Sequence, residues 1–374
     1  MAHAPDELRM CENLTLTSEN HFRLLVVRLG AMGDILHALP AVTALRSAYP
    51  DWEIGWAVEP KWMPLLAAES DPGPSLSPRG VLRPLVDRVH LAPAKAWAKR
   101  PLSFETLSQI GSLGRELREC GYDAVLDLQG AIKSSVVAHF AYAPRTLGED
   151  KPRERPARWF YNERLVTHLN HVIEQDFEMA AALEGKPLPW TQPLLPVDPA
   201  AEAWCEALIE ELGVAPLAMI APGAGWGAKR WPVERYTEVA RGLVGRGMRV
   251  LVNAGPGEDE MARAIENGTN GAALPVAASM AELIALVRRL ALFVGGDTGP
   301  LHMACALGRP VVGIYGPTDP SRNGPYGTRY RVLRSPTSVR DHSRRQEPEA
   351  GLLTITPEEV LRAADELTGK DEVR

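Results

Sequence analysis

The chain has 374 residues with 47 acidic and 41 basic side chains, a formal net charge of −6, which excludes the bulk cationic surface of a nucleic-acid-binding protein. The length suits two domains of ordinary size, each able to bury its own core. The four cysteines, Cys11, Cys120, Cys205 and Cys305, are scattered and form no CxxC or Cys/His cluster, so neither a zinc site nor a disulfide framework is expected, and reduced thiols in the cytoplasm are.

The first 20 residues are polar and acidic and lack the apolar core of a signal peptide, so 1–22 reads as a disordered leader and its Asn13-Leu14-Thr15 glycosylation pattern as a chance match. No apolar run reaches the roughly 18 residues of a membrane span, which predicts a soluble protein. From Arg23 short apolar runs alternate with amphipathic segments: "RLLVVR", a helix from about Asp34 to Tyr49, "EIGWAV", "VDRVHLA", a helix over 103–119, "YDAVLDL" and a helix over 132–142. Five prolines between Lys186 and Ala200 then mark an interdomain linker at 187–200. The alternation restarts with "LAMIA", a helix over 234–246, "MRVLVNA", a helix from Glu258, "AALPVA", a helix over 279–290, "LALFVGG", a helix after Pro300 and "PVVGIYG". Segment 336–350 reads as a polar loop. Thr356-Pro357-Glu358-Glu359 opens a helix to about Leu367 with an N-cap, a first-turn proline and acids. The fold expected is α/β: two Rossmann-like, doubly wound domains at 23–186 and 201–350, and a C-terminal helix within 351–374.

Ligands of open parallel sheets bind where strand ends meet helix N-termini, so the seams deserve scrutiny. In "RLGAMGDILHALPAV", Gly30 and Gly33 allow a sharp turn and close approach, and Asp34 taken alone reads as an N-cap. "APGAGWGAKRWP" offers backbone amides around Ala224 and Gly225, with Lys229 and Arg230 to neutralise a departing diphosphate. In "NAGPGEDEMA", Glu258 suits ribose hydroxyls. "GGDTGPLH" ends a strand at a helix whose free amides favour a phosphate, with a hydroxyl donor on Thr298, Gly299 beside it, Asp297 as an acceptor for sugar hydroxyls and His302 in the first turn. Three phosphate- or sugar-compatible loops in the second half and a carboxylate facing the cleft from the first suggest a nucleotide-sugar donor in one lobe and an acceptor in the other. The absence of a DxD-like acidic pair points to metal-independent chemistry. A nucleotide-sugar 2-epimerase shares such loops; an exported solute-binding protein lacks its signal peptide here, and a dinucleotide oxidoreductase lacks its GxGxxG.

Together "GAMGDILHALPAV", "YDAVLDLQGAIKSS", "AKRWP" and "GGDTGPLHMACALGRPVVGIYGPTDP" resemble the ADP-heptose:lipopolysaccharide heptosyltransferases, inverting enzymes of the GT-B fold, over about residues 23 to 334. "RWFYN" and "PAKAWAKR" look more like heptosyltransferase I, whereas Ala224 and Gly225 stand where it would have hydroxyl residues and look closer to heptosyltransferase II. The resemblance implies two domains facing a central cleft and heptose transfer from ADP-L-glycero-D-manno-heptose to the Kdo region of a lipid A core, with a heptosylated core as the alternative acceptor. Asp34 would be the general base, Lys229 would hold donor phosphates, Glu258 the ribose and Asp297 the heptose hydroxyls, with Thr298 and Gly299 on the diphosphate and His302 nearby. Lys95, Lys99, Arg100 and Lys133 would meet the anionic acceptor, with Trp97 offering a face to sugar or bilayer. No cofactor or metal is implied; the enzyme would be a cytoplasmic monomer in peripheral contact with the inner membrane.

Overall fold

The computed structural model describes residues 21–73, 77–341, 343 and 345–369. The leader to residue 20, with Cys11 and Asn13, and the last five residues of the C-terminal segment lie outside the described residues. The first half carries β1 (Arg23–Val27), α1 (Met32–Ala48), β2 (Glu53–Val58), β3 (Arg88–Leu91), α2 (Ala94–Lys99), α3 (Phe104–Cys120), β4 (Ala124–Asp127), α4 (Ile132–Phe140), β5 (Arg145–Glu149), β6 (Glu163–Leu165) and α5 (Val172–Ala181). The second carries α6 (Pro199–Leu212), β7 (Leu217–Ala221), α7 (Val233–Gly245), β8 (Arg249–Asn253), α8 (Asp259–Gly268), β9 (Ala273–Val276), α9 (Met280–Val287), β10 (Leu292–Gly296), α10 (Gly299–Ala306), β11 (Val311–Tyr315), α11 (Pro320–Asn323), β12 (Tyr330–Arg334) and α12 (Pro357–Thr368).

Continuous apolar strands such as "LLVV", "LAMIA" and "VVGIY" are buried on both faces, the pattern of parallel strands covered by helices. They form two six-stranded sheets, ordered β3-β2-β1-β4-β5-β6 and β12-β11-β10-β7-β8-β9. Strand order reverses beside β1 and β4 in one sheet and beside β7 and β10 in the other, and ligands enter at such switch points. Asp34 follows β1, Lys133 follows β4, Lys229 follows β7 and Asp297 follows β10. The chemistry-bearing loops therefore sit at the two switch points. Residues 187–198 have no regular structure and lead into α6. Helix α12, opened by the expected capping box of Thr356 and Glu359, buries Val360, Ala363, Ala364 and Leu367 against the second sheet.

The lobes meet helix end to helix end. A Cβ on Gly33 of α1 would come within 3.1 Å of the His302 ring, and one on Gly299 of α10 within 2.5 Å of Met32 Sδ. Glycine at both positions lets the two N-termini approach, and one apolar cluster runs from β1 and α1 to α9 and α10.

Two buried carboxylates of the first lobe contrast. Asp127, at the end of β4, accepts hydrogen bonds from Gln129 N (2.9 Å), Gly130 N (3.3 Å), Ser134 Oγ (2.9 Å) and Tyr161 OH (2.8 Å). Asp176 on α5 is only 3% exposed, and its Oδ2 has no hydrogen-bond partner. Burial pushes its pKa up to about 7; the Asp34 and Glu149 charges add to that while Arg28 opposes it.

Tyr161→Phe should lower denaturant stability by about 1–2 kcal/mol, and Asp127→Ala, which leaves Tyr161 OH and the Gln129 and Gly130 amides without this acceptor, by about 3 kcal/mol or more. For Asp176 the folded pKa lies above the unfolded value of about 3.9, so the stability it contributes is present in acid and lost as pH climbs from about 4 to 7. Asp176→Asn should therefore raise unfolding free energy by roughly 2–4 kcal/mol at about pH 8 and change it little at about pH 4, as denaturant melts at both values would show.

Candidate active site

Helix α1 begins at Met32, two residues before the expected start, with Ala31 as its N-cap. Asp34 is thus not the N-cap that its position suggested but the third helical residue, and its Oδ2 reaches back to accept from Ala31 N at 3.0 Å. Its Oδ1 stands 3.6 Å from Arg28 Nη2, and Arg28 Nε donates to the Asp34 carbonyl at 3.2 Å. A Cβ at Gly30 would sit 2.8 Å from Trp62 Nε1, so the turn before the helix requires glycine. Capping uses one carboxylate oxygen, and the side chain remains 36% exposed.

Opposite, the loop after β10 presents Asp297. Lys229 Nζ donates to its Oδ2 at 2.5 Å and to its backbone carbonyl at 3.2 Å, while lying 4.3 Å above the Trp226 ring. His302 Nε2 donates to Asp297 Oδ1 at 3.0 Å, and His302 Nδ1 lies 3.1 Å from Nε2 of His37 on α1. Burial alone would raise the Asp297 pKa, but the His302 and Lys229 hydrogen bonds and charges outweigh it and hold the carboxyl well below the usual range. Burial, followed by the neighbouring charges of His302, His171 and Arg28, lowers the His37 pKa well below its ordinary value. His37 is therefore neutral at pH 7, with one ring nitrogen free to accept or donate as His302 requires.

Helix α10 starts at Gly299, one residue before the expected Pro300, with Thr298 as N-cap and His302 in the first turn. The Thr298 hydroxyl donates to the Gly296 carbonyl at 3.3 Å, so its proton is directed to the backbone. Gly299, at the N-terminal end of α10 where helical amides lack helical partners, packs against Met32 at the N-terminus of α1. Glu258 caps α8 by position only: its Oε2 accepts from Gly255 N at 2.9 Å, and a Cβ on Gly223 would overlap its Oε1 at 1.8 Å. Glycine at 223 thus admits the Glu258 carboxylate across the loop after β7, beside Ala224 and a Gly225 with open space around it. Segment 345–349 pairs back onto this loop through Ala228 N to Arg345 O (2.9 Å) and Glu349 N to Ala228 O (3.1 Å).

On the first lobe, Lys95 follows β3 and Lys133 follows β4, three strand spacings or roughly 14 Å apart along the sheet edge. Between them come Asp34 and Lys61, which was not singled out from sequence; Lys61 lies 4.1 Å over the Trp62 ring. Desolvation, then the Lys95 charge, lowers the Lys61 pKa against the pull of Glu59. Lys99 and Arg100 are exposed at the end of α2. Trp97 does not offer its face to a ligand: it is buried with its Nε1 donating to Gln109 Oε1 at 2.9 Å, because α2 packs that ring onto the core beside α3. Arg28 and His37 were also missed, although Arg28 directly follows a buried strand and His37 lies one helical turn beyond Asp34. Among the described residues no cluster of three or more His, Cys, Asp or Glu is placed to hold a metal ion, and no helix is long and apolar enough to cross a membrane.

Residues 110–352 match the family model described as glycosyltransferase family 9 (heptosyltransferase). The chain is 29% identical to lipopolysaccharide heptosyltransferase 1 of Escherichia coli strain K12 over 84% of this chain and 94% of that one. It is 25% identical to lipopolysaccharide heptosyltransferase 2 of the same strain, over 94% and 99%. The structure of E. coli heptosyltransferase WaaC with ADP superposes with a TM-score of 0.74 at 27% identity, covering 92% of this chain and all of that one. The fold it shares is the two-lobed GT-B arrangement expected. A putative UDP-N-acetylglucosamine 2-epimerase from Listeria monocytogenes, at TM-score 0.50 and 13% identity over 94% and 89%, shares only the architecture. With the family model spanning most of the chain and both lobes aligned end to end, this protein belongs to glycosyltransferase family 9, the heptosyltransferases.

Proposed function

We propose that the protein transfers L-glycero-D-manno-heptose from its ADP donor to the Kdo region of a lipid A core, with inversion and without a required metal. The observation that carries this reading is that α1 and α10 meet N-terminus to N-terminus, so that Gly33, next to Asp34 in α1, packs against His302, which hydrogen-bonds the Asp297 of the Lys229–Asp297 pair. The relatives named heptosyltransferase 1 and the WaaC structure containing ADP support the donor and the acceptor class.

The acceptor hydroxyl attacks the anomeric carbon from the first lobe, and its proton passes to a carboxylate oxygen of Asp34. The sugar–phosphate bond breaks and its electron pair leaves with ADP. Lys229 has three N–H donors, two of which are committed to Asp297; the third remains for a phosphate oxygen, where positive charge stabilises the departing diphosphate. Backbone amides at Thr298 and Gly299 and along Ala224 and Gly225 meet the phosphates, and the free Oε1 of Glu258 accepts from the ribose. Asp297, with one lone pair of each oxygen used, still accepts from heptose hydroxyls, and His302 orients it. Lys95, Lys99, Arg100 and Lys133 bind the anionic acceptor, which sits on the inner leaflet; one chain supplies both lobes of the site, so a monomer suffices. Ala224 and Gly225 favour the second reading, a heptosylated core as acceptor.

ADP release from ADP-heptose should depend on Kdo-bearing lipid A and persist with a chelator; release only with a heptosylated acceptor would assign the second reading. Asp34→Ala should lower kcat by about 10²–10⁴ while calorimetry finds ADP affinity unchanged. Lys229→Ala should weaken ADP affinity and kcat together, each by about tenfold or more, and unchanged values would remove Lys229 from the site.

A further inference from the structure

At the start of α3 three large apolar side chains point away from the core: Leu102 is 86% exposed, Phe104 88% and Leu107 53%. Phe104 and Leu107 are one helical turn apart, so they share a face, and Leu102 lies just before them. The segment is held firmly, since Ser103 caps the helix by accepting from Thr106 N at 3.2 Å and its hydroxyl donates to Thr106 Oγ1 at 2.9 Å. Exposed Lys99 and Arg100 directly precede it; the acid among them, Glu105, accepts from Gln109 Nε2 at 3.4 Å. A rigid apolar knob beside cations is poorly matched to water and well matched to the interface of an acidic bilayer, where side chains enter the acyl boundary and cations meet headgroups.

Topology adds a direction. Helix α3 starts at the carboxyl edge of the first sheet, the same edge that carries Asp34, Lys61 and Lys95. A chain of net charge −6 is repelled as a whole by an acidic membrane, so attraction through this local patch would also fix which edge faces the lipid.

We propose that Leu102, Phe104 and Leu107, flanked by Lys99 and Arg100, insert into the surface of an acidic phospholipid bilayer and present the acceptor edge of the first lobe to lipids embedded in it. This rests on the reading that the acceptor is a lipid, and it names the surface that reaches it.

The test is sedimentation of the full chain with vesicles of mixed phosphatidylglycerol and phosphatidylcholine, free of acceptor, against phosphatidylcholine alone. The protein should bind the acidic vesicles, less so as salt rises, and the double variant Leu102→Ser, Phe104→Ser should lose roughly tenfold or more in partition per side chain. Val214→Ser, which removes an exposed apolar group of the other lobe, should bind like the parent. Unchanged melting of the double variant and unchanged ADP release with a deacylated, water-soluble Kdo acceptor would show an intact site, while release with vesicle-embedded acceptor should fall. Failure of the parent to bind acidic vesicles, or equal binding by the double variant, would overturn the proposal. So would a concentration-dependent dimer abolished by the double variant without vesicle binding, which would assign the knob to a second copy. Absence of ADP release with either acceptor would instead sink the heptosyl-transfer reading and leave the vesicle result standing.

Discussion

The lobes of this enzyme are joined through a buried chain of polar side chains: Lys229, Asp297, His302 and His37, linked at 2.5, 3.0 and 3.1 Å. Three come from the second lobe and the last from α1 of the first. Such a chain is stable in a dry interface only if every member finds a partner. Asp297, ionised, only accepts, which obliges His302 to present its Nε2–H. The remaining Nδ1 of His302 then meets His37 Nε2, and either ring can hold the proton between them without orphaning a group. The register of the two lobes follows from this chain, with Gly33 and Gly299 admitting the approach it needs.

Once the lobes are set, the rest of the cleft is determined by where strands end. Both sheets reverse order beside the strands that lead into α1 and α10, so two helix N-termini converge, and each adds partial positive charge to the space between. Glu258 reaches across to the loop after β7 because Gly223 lacks a side chain. Arg28, buried between β1 and α1, donates to the Asp34 carbonyl at 3.2 Å and stands 3.6 Å from its carboxylate.

Much of this was legible in the sequence, for physical reasons. Strands buried on both faces read as unbroken apolar runs, and seams between strand and helix carry glycines, so β1, β4, β7, β10 and the loops holding Asp34, Lys229, Glu258 and Asp297 were identified within a residue or two. The polar strands β5, β6 and β12, the last two at sheet edges, were not, since "RTLGE", "ERL" and "YRVLR" carry charged residues that break the apolar run. Helices α2, α5 and α6 were hidden by short length or by the proline-rich stretch. The His37–His302 contact joins residues 265 apart in sequence, a distance at which no local pattern signals a partner. Trp97 was misjudged because its basic neighbours suggested a surface while α2 turns the ring inward.

Asp34 and Asp297, each in the loop or helix that follows a switch-point strand of its own sheet, show how environment sets like groups apart. Asp297 is buried and bracketed by an ammonium and an imidazole, which keep its carboxyl ionised far into acid; such a group accepts no proton from a substrate at neutral pH and serves to fix Lys229 and His302. The Asp34 side chain is 36% exposed, with a guanidinium no closer than 3.6 Å and one backbone amide on one oxygen. Its neighbour Asp176 holds its own proton up to about 7, so at working pH a second negative charge beside Asp34 is only partly developed. On the function proposed above, the acceptor's proton goes to Asp34, the more exposed of the two, while Asp297, held ionised by Lys229 and His302, keeps its charge.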